Sequence, residues 1–238
     1  MIINPYRFAA GGAVSPSTAN LIAWWGLGDS PPRADSSGNG YTLSPFGTPT
    51  TVAGKNGDAT DFDGTGDFLG RSDATSPNLT GAQTWACWVN IDTFPTSSFE
   101  AIMTKYDGTG DQRGVYLGIN SSNKLVGIIS PDGFYDANEQ ATSTASLSTN
   151  TWYHIALVFD PSTATQLYID GSADGAATTP PASCFDNTAA LQIGAEGSGG
   201  GASSQYLDGT VDEACIFDKA LTSDEVLWLA SGNYFADL

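Results

Sequence analysis

Hydrophobic and polar positions along this chain follow a period of two. Trp85, Cys87, Val89 and Ile91 alternate with Thr84, Ala86, Trp88 and Asn90, which describes a strand with one apolar face. Shorter strand-like runs occupy residues 21–27, 59–62, 67–70, 101–106, 114–119, 125–130, 166–170, 191–195 and 207–217, separated by clusters of Gly, Asp, Asn, Pro and Ser. Residues 152–159 (WYHIALVF) are apolar on both faces, as a central strand of a two-layer stack would be. Asp160-Pro161-Ser162-Thr163 reads as the turn of a hairpin, and so does Asp63-Gly64-Thr65-Gly66 between its two flanking strands. One helix is predicted: Thr222 stands at the N-cap with Glu225 three residues on, before Val226-Leu227-Trp228-Leu229-Ala230 and Gly232. Residues 1–18 lack either period and form an extended arm, leaving residues 19–238 as a single domain.

Composition agrees with a β-rich reading. The 238 residues hold 8 Lys plus Arg against 26 Asp plus Glu, a formal net charge of −18. Eight scattered basic residues cannot supply the counterion release with which proteins grip nucleic acid, nor hold an anionic membrane surface. The acid is 21 Asp against 5 Glu, and Asp favours turns and caps where Glu favours helices. An apolar share of 40% suffices for one sizeable core. No run approaches the ~20 apolar residues of a membrane-spanning helix. Cys87, Cys184 and Cys215 are an odd, dispersed set and read as core thiols. The opening lacks the basic and apolar regions of a secretory signal, so synthesis in a cytoplasm is expected.

Six segments in order carry a resemblance: residues 21–27, the loop 35–40 (DSSGNG), 61–69 (DFDGTGDFL), 84–90 (TWACWVN), 151–171 (TWYHIALVFDPSTATQLYIDG) and 207–226 (LDGTVDEACIFDKALTSDEV). Together they resemble the laminin-G-like and pentraxin-like branch of the concanavalin A-like lectin and glucanase superfamily. The resemblance implies an all-β jelly-roll sandwich of two antiparallel sheets, with one short C-terminal helix and the N-terminal arm outside it. In relatives a concave face binds sugars or proteins.

Retaining glucanases of the superfamily carry carboxylates alternating along one strand, Glu-x-Asp-x-(x)-Glu, so that acid and nucleophile share a face. Glu100, Glu139, Glu196, Glu213 and Glu225 do not form that triplet. The single histidine, His154, lies in an apolar strand and reads as a residue satisfied by neighbouring backbone, and no Gly-x-Ser-x-Gly elbow occurs. A non-enzymatic protein is therefore expected.

In laminin-G-like relatives a structural calcium ties the loop after the first strand to the last strand. The matching positions are Asp35, Asn39 and Asp212; the rival reading is that Asp35 and Asn39 make Asx turns. A second place, resembling the pentraxin ligand face, joins Glu196 to the loop 107–111, with Asp111 in it. Gly197 and Ser198 stand where relatives carry further side-chain oxygens. Tyr106, Phe134, Tyr135 and Tyr206 are the aromatics placed on loops to stack against a sugar.

These readings lead to a virion structural or decoration protein carrying a lectin-like sandwich. Its arm, through Ile2, Ile3, Tyr6 and Phe8, docks on capsid or tail proteins in a multicopy or homo-oligomeric assembly, and host-surface glycan is a further ligand. Ile3-Asn4-Pro5-Tyr6-Arg7-Phe8 resembles openings of tailed-phage structural proteins with such domains. The alternatives are a carbohydrate-binding module of a bacterial secreted or surface protein and a glucanase-type glycoside hydrolase.

Overall fold

The computed structural model describes residues 12–28, 33–96, 98–177, 179–197, 203–233 and 235. The arm residues Ile2, Ile3, Tyr6 and Phe8 lie outside them. The chain begins with β1 (Leu21–Trp25), β2 (Ser44–Phe46), β3 (Thr50–Ala53), β4 (Asp58–Asp63) and β5 (Phe68–Arg71). Four nine-residue strands then dominate the middle: β6 (Gln83–Ile91), β7 (Phe99–Asp107), β8 (Gln112–Asn120) and β9 (Leu125–Gly133). After β10 (Gln140–Thr142) come β11 (Trp152–Asp160), β12 (Ala164–Ile169) and β13 (Ser172–Ala176). The chain closes with β14 (Leu191–Ile193), β15 (Glu196–Gly197), β16 (Ser203–Ser204), β17 (Asp208–Phe217) and helix α1 (Ser223–Ala230).

Among the described residues the strands form two sheets. One has eight strands in the order β13-β12-β11-β6-β17-β4-β3, with β1 also on β17. The other has nine, β10-β9-β8-β7-β14-β5-β2, with β15 on β7 and β16 on β15. The alternation in β6 works as the sequence indicates: Trp85, Cys87, Val89 and Ile91 enter the central core, where they meet Ile102, Met103, Val115, Leu117 and Ile129 of the opposite sheet. On the outer face of the eight-stranded sheet, Ala86, Val158, Cys215 and Phe217 are covered by Val226 and Leu229 of α1. On the outer face of the nine-stranded sheet, Ala101, Tyr106, Tyr116, Val126 and Ile128 form a third cluster, and no helix lies over it among the described residues.

The α1 capping box is present, Glu225 N donating to Thr222 Oγ1 at 3.3 Å and Thr222 N to Glu225 Oε2 at 2.8 Å. The 160–163 hairpin joins β11 to β12 as expected, with Asp160 opposite Ala164. The turn 63–66, in contrast, is not a hairpin. β4 pairs with β3 and β17, whereas β5 pairs with β14 and β2, so the turn carries the chain from one sheet to the other. Asp63 builds it by accepting from the Thr65 hydroxyl and from the N–H groups of Thr65, Gly66 and Asp67; these donors, Thr65 foremost, hold its carboxyl near 2.

Two smaller expectations also change. The run 152–159, read as buried on both faces, is only half-buried at its first two residues, Trp152 and Tyr153. His154 is buried, but its Nδ1 has no hydrogen-bond partner; its ring meets Trp88 edge-on at 5.4 Å, and burial drives its pKa down to about 3. The three cysteines are free and buried, as expected of core thiols.

Candidate functional site

The uncovered outer face of the nine-stranded sheet holds a cavity of about 430 Å³. Its wall comes from β7, β8, β9, β15 and β16 and the loops beside them. Alternation alone would send Arg113 inward with Val115, but the β8–β9 register shifts between those two residues, and β7 shifts between Lys105 and Tyr106. Such bulges re-aim side chains. Tyr106, Arg113 and Tyr116 all line the cavity.

Aromatic rings form its apolar side. Tyr106 and Tyr116 meet edge to face at 5.4 Å, and Phe99 meets Tyr116 at 6.1 Å. Tyr135 stands at the mouth, 48% exposed, with its hydroxyl donating to Gln140 Oε1 at 3.1 Å. The polar side consists of Glu196, Arg113, Gln205, Ser204 and Thr109. Tyr116 Oη donates to Gln205 Oε1 at 2.8 Å, which leaves the amide nitrogen of Gln205 for another acceptor. Arg113 donates to the carbonyls of Gly108 and Gly133 and to Asp111 Oδ1, and sits over the Tyr106 ring.

Glu196 is 4% exposed and accepts from Gly108 N at 3.1 Å. Burial pushes its carboxyl up to about 7, against the Gly108 N–H and the Arg113 charge, with Asp107 adding to the push. Burial likewise raises Tyr106 to about 12. The carboxyl of Glu196 thus changes between hydrogen-bond donor and pure acceptor near neutral pH.

The structure gathers Tyr106, Tyr135 and Glu196 into one cavity, with Asp111 at its edge through the 3.0 Å ion pair to Arg113. Tyr106 belongs to a strand rather than a loop and is buried, so it is wall rather than exposed platform. Tyr206 lies elsewhere, its ring 6.3 Å from Phe68. Phe134 is exposed beside Tyr135 but does not line the cavity. Sequence reasoning missed Arg113 and Gln205. The available signal for Arg113 was the scarcity of basic residues, and for Gln205 its place beside Tyr206 after the glycine tract; neither forms a motif.

Each of the residues expected to hold calcium makes hydrogen bonds to the backbone. Asp35 Oδ1 accepts from Trp24 N and Ser37 N, and Oδ2 from Tyr41 N, so the Asx-turn reading describes this loop. Asn39 Nδ2 donates to the carbonyls of Leu21 and Ile22. Asp212 Oδ2 accepts from Lys55 N and Asn56 N at 2.8 Å, its Oδ1 is buried without a partner, and burial raises its carboxyl to about 7. Each such N–H takes up a lone pair that a cation would otherwise use. Among the described residues no three His, Cys, Asp or Glu side chains gather as a metal site. This donor set does not fit a calcium shell.

The family described as the Concanavalin A-like lectin/glucanases superfamily, Laminin_G_3, matches residues 63–227. No curated protein matches the sequence. Domain 4 of AbnA, a GH43 extracellular arabinanase from Geobacillus stearothermophilus solved with arabinotriose, superposes with a TM-score of 0.64 at 18% identity, over 89% of this chain and 98% of that one. Botulinum neurotoxin type C, which depends on interaction with two ganglioside molecules to enter cells, gives 0.66 at 14% over 91% of this chain and 52% of its own. A Trypanosoma rangeli sialidase mutant displaying trans-sialidase activity gives 0.68 at 19% over 97% of this chain and 36% of its own. The chain therefore spans about half of the toxin structure and about a third of the sialidase. At these identities the similarity establishes a shared sandwich fold.

Proposed function

The chain belongs to the concanavalin A-like lectin/glucanases superfamily as a Laminin_G_3 domain, and on that premise we propose that it is a non-enzymatic carbohydrate-binding domain. The observation that carries this reading is the exposed Tyr135 ring at the mouth of a cavity that also holds Glu196, Arg113 and Gln205. An aromatic face stacks on the C–H side of a sugar ring while side-chain oxygens and nitrogens fix its hydroxyls. The arabinotriose bound to the arabinanase domain and the ganglioside dependence of the neurotoxin support sugar as the ligand class.

Cleavage of a glycosidic bond uses two carboxylates flanking it. Glu196 is the one carboxylate lining this cavity among the described residues, which supports binding without turnover. A glycan array followed by calorimetry tests the proposal. Hits that Tyr135→Ala weakens about tenfold or more are expected, with no reducing sugar released. An array without hits removes the carbohydrate reading; turnover that disappears in Glu196→Gln removes the non-catalytic one.

A second reading, a virion structural or decoration role, has the charge of −18 in its favour, since an acidic exterior keeps particles apart. The apolar Ile2, Ile3, Tyr6 and Phe8 would then dock the domain on capsid or tail proteins after synthesis in the host cytoplasm. Deleting residues 1–12 should abolish incorporation into particles while leaving the domain folded; unchanged incorporation refutes the role.

A further inference from the structure

A second, wider cavity of about 760 Å³ lies on the same sheet face, across β15 from the first. Phe46 of β2 and Phe68 of β5 are stacked in it, centroids 4.5 Å apart and planes within 1°. Both rings lie close to Gly70, where a Cβ would stand 3.2 Å from a Cε2 atom of each, so the glycine leaves room for the edges of the stacked pair. Phe68 is buried, whereas Phe46 is 47% exposed, which leaves aromatic surface open above the strand. Ser44, Arg71 and Gln192 supply polar groups around it. The pattern of the first cavity is repeated: an exposed ring with hydrogen-bonding side chains beside it.

The two cavities share one thin partition. Gly108 and Glu196 line the first, their chain neighbours Asp107 and Gly197 line the second, and Asp107 pairs with Gly197 between β7 and β15. The exposed large hydrophobic residues among those described are Val14, Phe46, Phe134 and Tyr135; Phe46 belongs to the second cavity, Tyr135 to the first, and Phe134 adjoins Tyr135. Apolar exposure is thus concentrated on this face, where it marks a binding surface. Each cavity alone falls within the roughly 300–1,000 Å³ of a small-molecule cleft, and together they exceed what one small molecule fills. From β9, which Tyr135 follows, to β2, which bears Phe46, is five strand spacings, roughly 24 Å at about 4.8 Å each. That distance is too long for one sugar ring and suits a short chain of them. A net charge of −18 disfavours a polyanionic chain.

We infer that a linear, neutral oligosaccharide lies across both cavities, one sugar stacked on Tyr135, another on Phe46, and the links between them passing over the Asp107–Gly197 partition. This inference rests on the carbohydrate-binding reading above. The test takes the neutral glycan that binds best on an array and measures affinity for its disaccharide and its pentasaccharide by calorimetry. The pentasaccharide should bind about tenfold more tightly or better, Phe46→Ala should erase that gain while sparing the disaccharide, and Tyr135→Ala should weaken both. Phe46→Leu, which keeps apolar packing on Phe68 without the ring face, serves if the alanine variant fails to fold. Equal affinity for the two lengths, or a Phe46 variant with undiminished pentasaccharide affinity, overturns the inference while carbohydrate binding stands. Absence of binding to any glycan overturns both.

Discussion

Replacing Glu196 by Gln isolates one buried carboxyl without requiring that the ligand be known. Glutamine keeps an oxygen for the Gly108 N–H, 3.1 Å from Glu196 Oε1, and removes the titration. In the folded protein Glu196 titrates at about 7, against an ordinary value of 4.5, chiefly because burial penalises its charge. A raised carboxylate pKa means that the folded state holds the proton after the unfolded chain has released it. The resulting stabilisation is complete below about pH 4.5 and is lost as pH rises toward 7. At about 1.36 kcal/mol per pH unit, the loss between pH 5 and pH 8 is about 2–3 kcal/mol for this group alone. All other titrating groups are common to both proteins, so the difference between them reports Glu196. Urea unfolding followed by tryptophan fluorescence at both pH values measures it. The variant should gain about 2–3 kcal/mol relative to the parent on going from pH 5 to pH 8, with unchanged denaturant slope. A constant difference across that range would refute the reasoning, since Glu196 would then be ionised or solvated alike in both states.

Three further outcomes are expected. Millimolar calcium should leave the melting temperature unchanged, because both carboxylate oxygens of Asp35 and Oδ2 of Asp212 already accept from backbone N–H groups; a rise of several degrees would show an ion shell that this geometry does not explain. Gly175→Ala should destabilise by more than about 1 kcal/mol in denaturant unfolding, since its φ is +87° and a Cβ would stand 2.1 Å from the Thr142 carbonyl oxygen. Thr222→Ala should cost about 1 kcal/mol in the same assay by removing the acceptor for Glu225 N, while Thr222→Ser should recover most of it.

The longer strands and α1 were legible in the sequence because each is written locally, in apolar runs or in a Thr-x-x-Glu cap, whereas the short β2, β3, β10, β13, β15 and β16 fall in no such run. Which sheet a strand joins is not written locally. Asp63-Gly64-Thr65-Gly66 has the chemistry of a tight turn, and that chemistry serves a hairpin and a crossing between sheets equally well, since Asp63 satisfies the same N–H groups in either case. The site was legible in part. Tyr135 and Glu196 stand out as an aromatic in a polar loop and a rare glutamate after a short strand. Arg113 reaches the cavity through a bulge that reverses its expected face, and Phe46 becomes a platform only when β2 pairs with β5. Those placements depend on partners distant in sequence. The calcium expectation meets a related ambiguity: Asp in a Gly-rich loop suits N–H acceptance as well as cation binding, and Asp35 in the loop 35–40 accepts from backbone N–H groups.

The location of α1 decides which broad side of the sandwich stays open. Val14 N donates to Asp224 O at 3.1 Å, so the incoming chain runs alongside the C-terminal helix, and both therefore belong to the outer side of the eight-stranded sheet. The two cavities open on the opposite flank of the sandwich. With Val14 and α1 on one broad side and both cavities on the other, a contact made beside α1 would leave the cavities unobstructed.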